Sequence, residues 1–331
     1  MNQDYKTSLL LGQEGLNQAV SLLQAGECVA LPTETVYGLA ADASNVGAVN
    51  KIFAAKGRPT NHPLIVHIPD VSHLQYWAKD VPEIAYKLAD AFWPGPLTLL
   101  LHKAPEVPNA VTGGLDSIAL RVPAHPLFLA VLKKLNKGLA APSANLYKQL
   151  SPTIAQQVMQ GLDGRIAGVL EGGPCEHGLE SSIVDLISQQ PRILRSGPIT
   201  QQQLEQFLGQ EVQAPQNHIE IVPGNVKAHY QPHSPLRIAA SSELISDTAV
   251  LSQQNCHFIV YSDAVIKACE KAGITNDRLS VLNNDSAEFG RKLYLTLYLA
   301  DQQYPKQIII EKPPISDAWA AVNDRLSRAA Q

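Results

Sequence analysis

Cysteine is scarce and scattered. Cys28, Cys175, Cys256 and Cys269 form no CxxC pair, which argues against a disulfide scaffold or a zinc module. Long apolar runs are missing, and no stretch approaches the roughly 18 residues that a membrane span needs. The segment MNQDYKTSLLLGQEG has a short apolar run with no basic region before it, so it does not read as a secretory signal. A cytoplasmic protein with no membrane partner is the expectation. Charge is sparse too: 17% of residues are Asp, Glu, Lys or Arg, against about one quarter in an average domain. The net charge of −4 argues against general binding of nucleic acid or anionic membrane, while leaving room for a local basic cleft. Also absent are a Walker A loop, a GxGxxG turn, a GxSxG elbow and any metal-ligand triad.

What is present is a chain of 331 residues, 45% of them hydrophobic, too apolar for global disorder and long enough for about two domains. Glycine and proline divide it unevenly: residues 1–235 hold 19 of 21 glycines and 20 of 23 prolines. Both residues punctuate loops, and loops on a rigid scaffold carry function, so the chemistry is expected in the first part. Residues 1–209 are read as one domain, 210–235 as a linker or lid, and 236–331 as a second domain. The linker follows a Gln-rich stretch and carries Pro215, Pro223, Pro232 and Pro235.

In the first domain the patterns predict strands at 28–31, 64–68, 97–102, 117–122, 138–141, 168–170, 182–186 and 192–194. Helices are predicted at 15–25, 46–55, 82–92, 126–135 and 153–160. The adjacent strands 182–186 and 192–194 suggest antiparallel pairing, hence an α/β domain with a mixed, twisted sheet. The tail alternates strands at 257–261, 279–282 and 307–311 with helices at 263–272, 285–304 and 316–330. That pattern predicts a small Rossmann-like parallel sheet, with Asp263, Asp285 and Ser316 as helix caps.

Several segments carry polar residues at predicted strand ends. PTETVYGLAAD (32–42) packs Thr33, Glu34, Thr35 and Tyr37 together, which suits either a small polar pocket or a hydrogen-bonded turn. Lys56 and Arg58 flank Gly57 at a helix end. Two fixed cations suit polyphosphate oxygens, but taken alone helix capping is the simpler reading. His67 sits in a strand as an ordinary core histidine would. Arg121, in SIALRVP, is costly to bury without a partner, which is an acidic side chain or a bound carboxylate or phosphate. Ser143 and Asn145 follow a short strand, and Ser151-Pro152 reads as a helix start, either an anion site or a plain cap. Ser181 and Ser182 enter a strand, and Arg195 ends one. FWPGPLTLLL (92–101) reads as structural, and Cys175 shows no sign of activation. Together these suggest a site for a nucleotide plus a small anionic ligand.

The set PTETVYGL, KGRP with PLIVHI, FWPGPLT, ALRVP, APSAN, SPT, GGPCEHGLESSIVD and LRSGPI resembles the YrdC-like family. With its linker and tail, the chain is similar to the long, two-domain L-threonylcarbamoyladenylate synthases. The resemblance implies a twisted mixed sheet with a basic cleft. It also implies a nucleotidyltransferase that converts L-threonine, bicarbonate and ATP to L-threonylcarbamoyl-AMP and pyrophosphate. A separate transferase complex then modifies adenosine 37 of tRNA. By the same resemblance Lys56, Arg58, Ser143 and Asn145 are catalytic and embrace the ATP phosphates. Mg²⁺ is held mainly by those phosphates rather than by protein side chains. His62, Ser117, Ser151, Arg195 and Tyr230 complete the ATP set, and Thr35, His67, Arg121, Ala141 and Ser181 form the threonine pocket. His62 stands where the family usually has asparagine, and the linker reads VPGNVKAHYQP, with His229-Tyr230 as its H-Y pair. The competing readings are a hydrogenase-maturation carbamoyltransferase, disfavoured by the missing CxxC pairs, and a non-catalytic RNA-binding or ribosome-maturation factor.

Overall fold

The computed structural model describes residues 6–214, 221–224, 229–246, 248–251 and 255–330. Pro215 and residues 225–228 of the linker lie outside the described residues. The chain divides into two compact units. The first comprises Met1–Tyr147, Ser151–Glu176 and Glu180–Asn225; the second comprises Lys148–Leu150, His177–Leu179 and Val226–Gln331. Among the described residues no helix is long and apolar enough to cross a membrane.

In chain order the strands are β1 (Ser8–Leu10), β2 (Val29–Leu31), β3 (Gly38–Asp42), β4 (Ile65–His67), β5 (Leu97–His102), β6 (Ser117–Arg121) and β7 (Leu139–Ala140). They continue with β8 (Gly168–Leu170), β9 (Ser182–Asp185), β10 (Arg192–Arg195), β11 (Leu236–Ala239), β12 (Cys256–Val260), β13 (Leu279–Val281) and β14 (Gln307–Glu311). The first unit is built on a ten-stranded sheet ordered β1-β8-β2-β3-β7-β4-β6-β5-β9-β10. Its pairings are mixed: β4 runs parallel to β6 and β5 to β9, while β9 and β10 are antiparallel.

Register decides which residues share a face, because side chains alternate along a strand. His67 lies opposite Arg121 and Ile65 opposite Ala119. Leu100 also faces Ala119, and Thr98 faces Ile183. Leu139 pairs with His67, which brings Ala141 to the same side. Helices Gly12–Gln24 and Pro126–Leu135 cover one part of this face, setting Leu16, Leu23, Phe128 and Leu132 on Val29, Leu31, Ala40 and Leu139. The remainder is a floor of Ile65, Leu100, Ala119, Ile183 and Leu194, against which Val222 packs. The opposite face carries the largest core, with Ile52 and Phe53 of helix Val46–Lys56 and Leu88 of helix Glu83–Phe92.

The second unit holds a four-stranded, wholly parallel sheet ordered β11-β14-β12-β13. Helices Asp263–Lys271, Ser286–Asp301 and Ala320–Ala329 accompany it. Asp285 caps its helix as expected, accepting from the amides of Ala287 and Glu288. The cap before Val265 is Ser262 rather than Asp263. Ser316 precedes a short 3₁₀ turn and makes no side-chain cap.

Candidate functional site

Helix Val46–Lys56 begins on Asn45, whose side chain accepts from the Ala48 amide, and ends at Gly57 with φ of 62°. That left-handed conformation suits glycine and breaks the helix beside Lys56. The Lys56 ammonium is buried and donates to the carbonyls of Ser143 and, at 2.6 Å, Asn145. It does not cap its own helix. The Tyr147 amide donates back to the Lys56 carbonyl at 2.8 Å, so the whole Ser143–Tyr147 stretch is fastened to the helix end. Burial first, and the nearby Arg58 charge second, hold the Lys56 pKa well below the usual lysine value. Arg58 donates to the Pro63 carbonyl at 3.0 Å. His62 is half-buried and edge-on to Tyr147 at 5.6 Å, its pKa lowered by burial and then by Arg58. Lys56, Arg58, His62, Ser143 and Asn145 thus form one cationic corner.

A second corner forms around Arg121. Its Nη2 donates to Glu34 Oε1 at 2.5 Å, and both side chains are 3% exposed. Its Nε donates to the Gly95 carbonyl at 3.1 Å. The beside-lying His67 stacks on Phe128 at 5.1 Å and is buried, with Nδ1 lacking a hydrogen-bond partner among the described residues. Burial, and then the Arg121 charge, keep it neutral by lowering its pKa well below 6.5. Thr35 Oγ1 lies 2.8 Å from Thr33 Oγ1, which also accepts from the amides of Thr35 and Val36. Ala141 anchors the floor through its amide to the Ile65 carbonyl.

A third group borders the same floor. Arg195 follows a register shift in β10 and donates to the Ser181 carbonyl, the Ser181 hydroxyl and the Pro223 carbonyl at 2.9–3.0 Å. Ser181 Oγ is 2.7 Å from Thr98 Oγ1. Ser117 opens β6, opposite His102, on the same face as Arg121 but four residues away, about 13 Å at the strand rise.

One expectation needs correction. Ser151 starts no helix: the next one is Ala155–Leu162, and the Ser151 hydroxyl donates to buried Glu180 at 2.6 Å. The FWPGPLT segment supplies the Gly95 carbonyl to Arg121 and lays Thr98 Oγ1 beside Ser181 Oγ. Tyr230 belongs to the second unit, where its buried ring stacks on Tyr294 at 5.6 Å and lies 5.4 Å from the Arg325 guanidinium carbon. Sequence reasoning placed Glu34 only within a polar segment and gave Thr98 and Glu180 no role. The first offered a signal, as the only acid within the hydroxyl cluster 33–37. Cys175 is buried, and burial pushes its thiol far above the usual range, which suits no nucleophile. Among the described residues no group of three or more His, Cys, Asp or Glu could hold a metal ion.

Comparison with known proteins covers both units. Residues 21–197 match the Sua5, YciO and YrdC family, described as telomere recombination. Residues 199–331 match a family described as the threonylcarbamoyl-AMP synthase C-terminal domain. The chain is 39% identical over 340 residues to the threonylcarbamoyl-AMP synthase of Bacillus subtilis (strain 168), covering 99% of this chain and 96% of that protein. The Pyrococcus abyssi synthase is 44% identical over 192 residues, covering 58% of this chain and 56% of its own length. The crystal structure of P. abyssi Sua5 complexed with L-threonine aligns with a TM-score of 0.88 at 32% identity, covering 98% of this chain and 97% of that one.

Proposed function

The chain belongs to the Sua5–YrdC family of threonylcarbamoyl-AMP synthases, and we propose from that premise that it joins L-threonine, bicarbonate and ATP into L-threonylcarbamoyl-AMP with release of pyrophosphate. The observation that carries this reading is two kinds of buried cation in the first unit, Lys56 and Arg58 in the segment before β4 and Arg121 at the end of the neighbouring β6. Lys56 and Arg58 suit a polyphosphate, and Arg121 suits a carboxylate.

In this reading Arg121 takes the threonine carboxylate, with Thr35, His67, Ala141 and Ser181 around the amino acid. The free amine attacks the carbon of CO₂ drawn from bicarbonate and loses a proton, giving a carbamate. A carbamate oxygen then bonds to the α-phosphorus of ATP. The bond from that phosphorus to the bridging oxygen breaks, and pyrophosphate leaves with the electron pair. Such a displacement needs positioning and charge stabilisation rather than a protein nucleophile. Lys56 and Arg58 supply the charge, with Ser143 and Asn145 holding the loop that orients Lys56. Phosphate oxygens arriving beside Lys56 restore its charged form, because an anion favours the ammonium that burial disfavours. Ser117, Ser151, Arg195 and His62 make up the rest of the ATP set within the first unit. Magnesium enters as part of the MgATP substrate. The product passes to a transferase acting on tRNA. The limits 1–209, 210–235 and 236–331 for domain, linker and accessory domain belong to the same proposal.

The test is pyrophosphate release from the purified full chain. Release is expected to require threonine and bicarbonate together. Equal release in the absence of threonine would reject the assignment.

A further inference from the structure

We propose that Glu34 is a positioning residue for threonine, holding the Arg121 guanidinium so that its Nη1 edge is presented to the substrate carboxylate. This rests on the reading of Arg121 given above. A guanidinium is planar, so anchoring it at two nitrogens fixes both its plane and its rotation. Here Nη2 is held by Glu34 and Nε by Gly95. Among the described residues Nη1 makes no hydrogen bond, and so it is the nitrogen left to bind an anion.

Both anchors are themselves immobile. The second Glu34 oxygen accepts from the Ala124 amide at 3.0 Å. Its backbone is fixed by the turn in which Thr33 Oγ1 accepts from two following amides and donates to the Val36 carbonyl at 2.6 Å. Gly95 donates to the Val122 carbonyl at 2.9 Å. A Cβ at Gly95 would come within 2.2 Å of the Phe92 carbonyl oxygen, so the chain there admits only glycine without shifting. The clamp joins the PTET turn, the PGP turn and the end of β6 on one guanidinium. A counter-ion alone would need neither the second carboxylate contact nor the Gly95 carbonyl.

The experiment measures steady-state pyrophosphate release and ligand-induced Tm shifts for Glu34→Gln, Glu34→Asp and Arg121→Ala. Loss of a charge-assisted anchor is expected to raise the threonine KM of Glu34→Gln roughly ten- to hundred-fold. The ATP KM should stay put, and the threonine-induced Tm shift should shrink while the ATP-induced shift persists. Glu34→Asp keeps the charge but is too short to reach both partners, so it should shift the threonine KM in the same direction by less, even if Glu34→Gln fails to fold. Unchanged threonine parameters in both Glu34 variants, or parallel loss of threonine and ATP parameters, would overturn the proposal. An Arg121→Ala variant with an unaltered threonine KM would instead reject the carboxylate role of Arg121.

Discussion

In the first unit the buried Lys56 ammonium rests on two main-chain carbonyls and keeps a third donor in hand. Arg121 likewise holds Nη1 in reserve. In the second unit the buried Glu311 carboxylate is saturated. Its Oε1 accepts from the Ser241 and Ser262 hydroxyls and its Oε2 from the Tyr261 and Ser262 amides, which fills about four lone-pair sites. Asp301 follows the same pattern. Burial alone would raise its pKa, but the His233 and Ser234 amides and side chains outweigh that and lower it. The two units therefore bury charge for different ends. Spare donors suit the anions of the proposed reaction. A carboxylate closed by its own backbone, at the carboxyl end of a parallel sheet where such folds often bind ligands, marks a joint.

The contrast breaks most sharply at Lys56. Replacing it with Met keeps the apolar stem and deletes the charge. Pyrophosphate release is expected to fall on the order of 100-fold or more, as when one charge-stabilising donor is removed from an active site. Stability should change little, because losing an ammonium that burial disfavours is offset by two main-chain carbonyls left without their donor. A Lys56→Met protein with ordinary turnover, or one whose Tm collapses, would place Lys56 with the structural charges.

Glu311→Ala is the mirror experiment. It strands two amides and two hydroxyls, each unmet group costing about 1–3 kcal/mol when buried. A net loss of roughly 3 kcal/mol or more is expected in the second unit once relaxation and water are allowed for. Hydrogen exchange would localise it to β12 and β14. Threonine-induced and ATP-induced Tm shifts should survive. If they vanish with Glu311, the carboxylate serves more than the second sheet.

The bounds of β5 and of helix Pro126–Leu135 were legible from residue patterns because apolar spacing and a starting proline mark them clearly. β1, β3 and β11 were missed. β1 and β11 are short, and β3 emerges from a polar turn whose composition hides it. Ser151 misled because Ser-Pro imitates a helix start, whereas the helix begins only at Ala155. The site was less legible. Lys56 meets Ser143 and Arg121 meets Glu34 across 87 residues each, and no local pattern encodes a register between distant strands. Family resemblance supplied the Lys56–Ser143 association, but Glu34 required the geometry.

The smallest expected effect concerns how the two units meet acid. His67 is neutral when folded, with its pKa depressed by burial and by Arg121. As pH falls through its unfolded value of about 6.5, the unfolded chain takes up a proton that the native state refuses. Stability in the first unit therefore declines below that pH, by at most about 1.4 kcal/mol per pH unit for one proton. Asp301 carries the same sign in a lower window: its contribution is present above the usual carboxylate range and is lost as pH falls through its depressed native value. His257 in the second unit is also lowered by burial, so absolute slopes do not separate the units, whereas a variant does. Urea unfolding without substrates at pH 7.5, 6.5 and 5.5 should show a shallower pH dependence for His67→Leu than for the natural chain. An identical slope would mean that His67 gains its proton without unfolding, and the floor beside Arg121 would then be wetter than its burial implies.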